Sequence, residues 1–196
     1  MKNKLRASYS LLNSWDRKRY EECVLYYFRL KQFTSIQMAN GKNYHKLWQE
    51  HINLTKTLPK EFGSLPLKDP QAELKLEVEL GDWLSLVGVI DCYDTDTIYE
   101  FKTGVKNSSE YNDGMQTPVY GLLAKLSGLP VNCAKTYHYD QYKNLADQSM
   151  LWITKKNSKQ ALEWVKKNAS EMHQYFESEG LYEKFGNRQP LNIESV

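Results

Sequence analysis

Between Glu73 and Thr103 the hydrophobic pattern settles to a period of two, and this stretch limits the fold most. Leu74, Leu76, Val78 and Leu80 alternate with Glu73, Lys75, Glu77 and Glu79, as a strand with one buried face must. Gly81-Asp82 turns the chain into a second apolar run, Trp83 to Tyr93, and Asp94-Thr95-Asp96 turns it into a third, Thr97 to Thr103. The pattern predicts an antiparallel three-strand meander. Helical spacing surrounds it. Leu11, Leu12 and Trp15 predict a helix from Ser8 to about Leu30, and Tyr44, Leu47, Trp48 and Ile52 another over Ser35 to Leu54. Pro59, Gly63, Pro66 and Pro70 mark a connector. Beyond the meander, a helix is predicted from about Gly114 to Leu126, strands near Val131–Tyr139 and Met150–Thr154, and a last helix from Ser158 to Ser178. The expected class is α/β, one domain over residues 1–196, with an N-terminal helical part at about 8–58 and a sheet core at about 72–178.

Composition removes whole classes of alternative. The 196 residues carry 26 Lys+Arg against 24 Asp+Glu, with 41% hydrophobic residues, which excludes a disordered chain. No run approaches the roughly 18 apolar residues of a membrane span, and the first ten residues lack an apolar signal region, so a cytoplasmic protein is expected. Cys23, Cys92 and Cys133 are too few and too widely spaced for a disulfide framework or a thiolate metal pair.

On the third strand Glu100 and Lys102 share one face, and Tyr99 and Phe101 share the other. With Thr95-Asp96 as the hairpin tip, Asp91 stands directly opposite Glu100, about 5 Å away. Two carboxylates at that distance repel by about 3 kcal/mol at an effective dielectric near 20. A proton, a cation or a metal must offset this. Lys102 would suffice as a structural counter-ion, while a carboxylate pair facing a cleft suits a hard divalent ion such as Mg²⁺.

The segments Gly88-Val89-Ile90-Asp91, Glu100-Phe101-Lys102-Thr103-Gly104 and Gln116-Thr117-Pro118-Val119-Tyr120 together resemble the PD-(D/E)XK nuclease superfamily, most closely its RecB-type exonuclease branch and their CRISPR-associated relatives. Gly41-Lys42-Asn43-Tyr44-His45 matches an upstream Gly-x-x-x-His, and Ser8-Tyr9-Ser10-Leu11-Leu12, then Cys23 and Tyr26-Tyr27-Phe28, match an N-terminal Ser-x-Ser-x-Leu helix with its cysteine and aromatic cluster. The resemblance runs in order over about residues 8 to 178. It implies a restriction-endonuclease-like core, a mixed central sheet with the meander flanked by helices. It implies a Mg²⁺- or Mn²⁺-dependent deoxyribonuclease, an exonuclease of repair, recombination or phage DNA processing, with DNA as partner and oligomers known on this fold. By the same resemblance His45, Asp91, Glu100 and the Phe101 carbonyl hold metal, and Lys102 activates water and stabilises charge on the phosphate. Gln116 and Tyr120 touch substrate or brace the catalytic strand. The alternative is a nucleic-acid-binding module on the same fold without catalysis. A glycosidase pair is disfavoured because Lys102 opposes the raised pKa that a general acid needs.

Some residues stand outside this pattern. His51, about 240° around the helix from His45, cannot share its metal and reads as packing. His138 and His173 have no partner motif, and Glu73 reads as part of a solvated strand face. Pro118 interrupts the helix of Gln116 unless it falls in the first turn, where amides have no intrahelical acceptor. The segment from Trp15 to Cys23 is longer than usual in the family, and no proline follows the cysteine. Relatives with an iron–sulfur cluster use three further cysteines near the C-terminus, but residues 179–196 contain none, so no cluster is expected.

Overall fold

A computed structural model describes residues 3–31, 36–104, 108 and 114–186, with the side chains of 36–38 left aside. The start of the second helix at Ser35 therefore lies outside the described residues. Along the chain run β1 (Leu5–Ser8), α1 (Tyr9–Asp16), α2 (Tyr20–Tyr27), α3 (Ile36–Thr55), a 3₁₀ turn (Lys60–Phe62), β2 (Gln71–Glu79), β3 (Leu84–Asp94) and β4 (Thr97–Thr103). There follow α4 (Gln116–Leu126), β5 (Cys133–Asp140), β6 (Leu145–Trp152), α5 (Lys155–Ser178) and α6 (Leu181–Phe185).

The long N-terminal helix of the sequence pattern is split. Leu5–Ser8 forms a strand whose Leu5 and Ala7 are buried. Ser8 then caps α1 by accepting the Leu11 amide at 3.3 Å, and the chain breaks at residues 17–19, with Lys18 at φ +60°. At the other end β6 starts at Leu145 rather than Met150, since its first four residues are exposed and polar pairing with β5 replaces apolar alternation. Pro118 falls in the first turn of α4. The Val119 amide makes the early helical bond, to the Met115 carbonyl at 2.9 Å, so the proline costs no hydrogen bond.

The meander β2-β3-β4 forms in the expected register, with Cys92 opposite Tyr99 and Asp94 opposite Thr97. The sheet is mixed: β1 lies parallel to β3, β4 parallel to β5, and β6 closes antiparallel to β5. β2 follows one edge of β3 along its length. The other edge is divided, with β1 on Leu84–Val87 and β4 on Cys92–Asp94. Among the described residues, positions 88–91 of β3 have no strand partner on that edge. The sheet forks there.

Helices cover both faces. Leu11, Leu12 and Trp15 of α1, Val119, Leu122 and Leu123 of α4, and Val165, Ala169, Met172 and Phe176 of α5 pack on Leu84 and Leu86. Trp48 and Ile52 of α3, with Phe62, pack on Cys92, Tyr99, Phe101 and Tyr137. Residues two apart in a strand share a face. Yet Leu74 and Ile90 pack on the α4 side, while Ala72 and Cys92 pack on the α3 side. The pleat of both strands therefore reverses at the facing pair Glu73 and Asp91, where Glu73 takes φ +53°.

Close approach of α4 depends on glycine. A Cβ on Gly88 would lie 2.8 Å from Leu123 Cδ2 and 3.1 Å from Tyr120 Cε1, and one on Gly121 would lie 2.8 Å from two Ile153 carbons. Gly41 differs, since a Cβ there would meet only Thr103 Oγ1 at 3.4 Å, an ordinary contact. A close helix approach at Gly41 is therefore not sterically required, whereas at Gly88 it is. Gly121→Ala should therefore destabilise by about 1–3 kcal/mol through overpacking. Gly41→Ala, inside a helix, should be neutral or stabilising by up to about 1 kcal/mol. Urea midpoints of the two variants check the contrast.

Candidate active site

The site grows from the fork in the sheet. Where β3 and β4 part, the Asp91 carboxylate takes over from the backbone ladder. Its Oδ2 accepts the Phe101 amide at 2.7 Å, and its Oδ1 lies 3.2 Å from Nδ1 of His45 on α3. Glu100, on the next strand, is almost fully buried, at 1% exposure. Its Oε2 accepts both Lys102 Nζ and Gln116 Nε2 at 3.0 Å. Its Oε1 is buried and has no hydrogen-bond partner among the described residues. Tyr120, one turn after Gln116 on α4, lies near both carboxylates, and Gln116 reaches its hydroxyl.

The structure thus brings together His45, Asp91, Glu100, Phe101, Lys102, Gln116 and Tyr120. It adds Glu73, which the alternation pattern had assigned to a solvated face. Ligand atoms of His45, Glu73 and Asp91 lie within 4.8 Å of one another. Glu100, turned toward Lys102 and Gln116, stands outside this group. The sequence does place Glu73 opposite Asp91 once the β2–β3 register is known. The backbone reversal that turns it toward the site carries no signal of its own.

The two central carboxyls divide the available protons. Burial raises the Glu100 carboxyl to about 8, with the Asp91 charge adding to the effect and Lys102 only partly opposing it. Burial also works against the Asp91 charge, but His45, Lys102 and the Phe101 amide outweigh it and hold Asp91 below the ordinary carboxylate range. For His45, burial disfavours the cation, yet Asp91 wins and raises it. Burial and the neighbouring Asp91 raise Glu73 as well.

The other histidines are occupied elsewhere. His51 Nε2 meets Thr57 Oγ1 at 3.0 Å, tying α3 to the following turn. His173 packs on Trp83 and bonds the Tyr182 hydroxyl at 2.7 Å. His138 is buried beside Lys102 in the β4–β5 register, with Nδ1 2.7 Å from Asp147 and Nε2 2.8 Å from the Gly104 carbonyl. That contact holds the chain where it leaves β4, a bracing role that sequence spacing did not reveal. Cys23, Cys92 and Cys133 are buried free thiols.

A family model of the PD-(D/E)XK nuclease superfamily matches residues 46–183, a stretch that contains Glu73, Asp91, Glu100, Lys102, Gln116 and Tyr120 and begins one residue after His45. The chain belongs to that superfamily. Among solved structures, SSO0001 superposes with a TM-score of 0.60 at 11% identity, over 86% of this chain and 77% of the other. The alkaline exonuclease LHK-Exo from Laribacter hongkongensis gives 0.53 at 8% identity, over 90% of this chain and 93% of its own. Its complex with dAMP gives 0.56 at 13% identity, over 91% and 92%. At these identities the likeness is one of fold. A comparison with curated proteins finds no match. No helix among the described residues is long and apolar enough to cross a membrane.

The raised groups give stability a definite pH dependence. Without metal, folded protein keeps a proton on Glu100 that the unfolded chain releases near pH 4.5, so stability falls as pH rises from there through about 8. His45, also raised, acts in the same direction above its unfolded value of 6.5. Asp91, lowered, contributes stability that is lost only below about pH 4. Melting temperatures measured in chelator from pH 5 to pH 9 should decline for the wild type and stay flatter for Glu100→Gln.

Proposed function

We propose that the protein is a divalent-metal-dependent nuclease that hydrolyses DNA phosphodiester bonds from strand ends. The observation that carries this reading is the cluster at the sheet fork, with a buried carboxylate oxygen on Glu100 that has no partner among the described residues, beside a lysine. An unpaired buried acceptor costs about 1–3 kcal/mol, and a cation or a proton relieves it. One imidazole nitrogen with several carboxylate oxygens suits Mg²⁺ or Mn²⁺, and Mn²⁺ accepts nitrogen more readily.

In this reading His45, Glu73 and Asp91 hold the ion, and Glu100 and the Phe101 carbonyl, on the adjoining strand, complete its ligand set. A bound cation supplies a water of lowered pKa and neutralises charge on the phosphate. The protein does the rest. The Asp91 bond to the Phe101 amide fixes β4 at the fork and so aims the Phe101 carbonyl and the Glu100 side chain. Lys102, held at 3.0 Å by Glu100, places a positive charge where the attacking water and phosphate oxygens meet. Gln116 holds Glu100 from the α4 side and keeps the carboxylate plane from turning. The exonuclease character rests on the fold shared with LHK-Exo, whose dAMP complex shows a mononucleotide bound to that protein. Strand ends are a proposal for this chain.

Labelled DNA should be cut in Mg²⁺ or Mn²⁺ and left intact in chelator. Asp91→Ala should reduce cleavage to below a few per cent while the fold persists, and Lys102→Ala should lower turnover by orders of magnitude with metal affinity, followed by calorimetry, changed far less. Retention of full activity by Asp91→Ala would overturn the assignment.

The two histidines of α3 provide an internal control. His45→Ala should weaken metal binding, with part of the activity recovered at high Mn²⁺. His51→Ala should cost stability at most, because its ring serves Thr57. Cleavage rates at matched stability separate them, and equal losses would show that α3 does not deliver His45 to the metal.

A further inference from the structure

An aromatic row leads away from the catalytic carboxylates on the side opposite His45. It begins at Tyr120, next to Glu100. The ring of Tyr9, in the first turn of α1, meets Tyr120 edge-on at 6.4 Å, and on its other side lies Trp164 of α5 at 5.9 Å. Tyr120, Tyr9 and Trp164 are each only partly exposed, so the row reaches the surface by steps. Trp164 is held in orientation by its indole N–H, which donates to Asp16 Oδ2 at 3.3 Å. Arg17 follows Asp16 at the exposed end of α1.

The polar end of Tyr9 is unusual. Among the described residues its hydroxyl has no hydrogen-bond partner, although Gln116, Ser8 and the other polar groups nearby have theirs. The charges that act on it are Arg17 and Lys102, then Asp16 and Glu100. A phenol hydroxyl free among the described residues, within reach of the charges of Arg17 and Lys102 as well as Asp16 and Glu100, and an indole held against its ring, can accommodate a phosphate followed by a base. Aromatic faces stack any base and do so without sequence preference, and an exposed arginine adds attraction for the backbone.

We propose that Tyr9, Trp164 and Arg17 form a subsite for a nucleotide of single-stranded DNA adjoining the scissile phosphate. The Tyr9 hydroxyl donates to a phosphate oxygen, the Trp164 face takes the base, and Arg17 attracts the backbone beyond it. This rests on the nuclease reading of the same site and extends it to the form of the substrate, an unpaired strand. A paired base presents its face to its neighbours in the stack and is not free for the indole.

Tyr9→Phe removes one oxygen and keeps the ring packing, so it tests the hydroxyl without endangering the fold. Trp164→Leu removes the stacking surface. Binding of a labelled single-stranded oligodeoxynucleotide, followed by anisotropy in chelator, should weaken about tenfold in each variant, and wild-type tryptophan quenching on binding should vanish in Trp164→Leu. In Mg²⁺ or Mn²⁺ both variants should raise KM for single-stranded DNA with kcat within about twofold, and wild type should bind a blunt duplex of the same length more weakly. Unchanged affinity and unchanged quenching in both variants would overturn the subsite, as would equal or tighter binding of the duplex or no binding of the single strand by wild type. The chelator arm needs no turnover, so a protein that binds through Tyr9 and Trp164 but never cleaves would refute the nuclease reading and leave the subsite standing.

Discussion

The bond from the Phe101 amide to the Asp91 carboxylate is the contact on which the site depends. Neighbouring strands normally satisfy each other's amides through the backbone. Here β3 leaves β4 after Cys92, and an aspartate side chain supplies the missing acceptor. The substitution solves a structural problem, an amide at the sheet fork, with a charged group. That charge then recruits His45 from α3 and pushes the proton balance onto Glu100. Sheet topology and electrostatics are joined at one side chain.

The opposing elements are set around this fork by packing that differs on the two faces. On one, α3 rests on Trp48, Phe62 and Phe101, with ring centroids 5.1 to 5.6 Å apart, and holds His45 one turn before Trp48. On the other, Gly88 lets Tyr120 and Leu123 of α4 settle against β3, and that contact brings Gln116 within 3.0 Å of Glu100. The same helix therefore serves packing through Tyr120 and Leu123 and reaches the carboxylate through Gln116. A left-handed backbone at Glu73 costs on the order of 1–3 kcal/mol. Such strain is sustained where the surrounding strands fix it, and here it turns an acidic side chain toward His45 and Asp91.

Much of this was legible in the sequence because it is local. Period-two alternation and two turn signals gave the meander and its register near the hairpin tip, but the expected pairing of Asp91 with Glu100 does not form: the strands part after Cys92, and Asp91 accepts the Phe101 amide instead. The four-residue spacings from Gly41 to His45 and from Gln116 to Tyr120 gave one face of each helix. Pro118 was compatible with the helix only if it fell in the first turn, and the helix start at Gln116 meets that condition. Other features were hidden for stated physical reasons. β1 is four residues long, too short for a period, and it forms only because Leu84–Val87 offers it an edge. The bracing of Gly104 by His138 joins strands whose pairing is parallel and so leaves no hairpin signal.

By itself the sequence determined which residue types were available and at what spacing: carboxylates at 91 and 100, a lysine two positions on, a histidine on a helix face, and a glutamine–tyrosine pair on another. Spacing governs these because strand and helix periods are properties of the local backbone. The tertiary structure decided the rest: that the strands part at Asp91, that the pleat reverses at Glu73 and brings a third acid into the group, and that Glu100 loses solvent and keeps a proton. Those outcomes depend on burial and on cross-strand neighbours, which are sums over residues far apart in the chain.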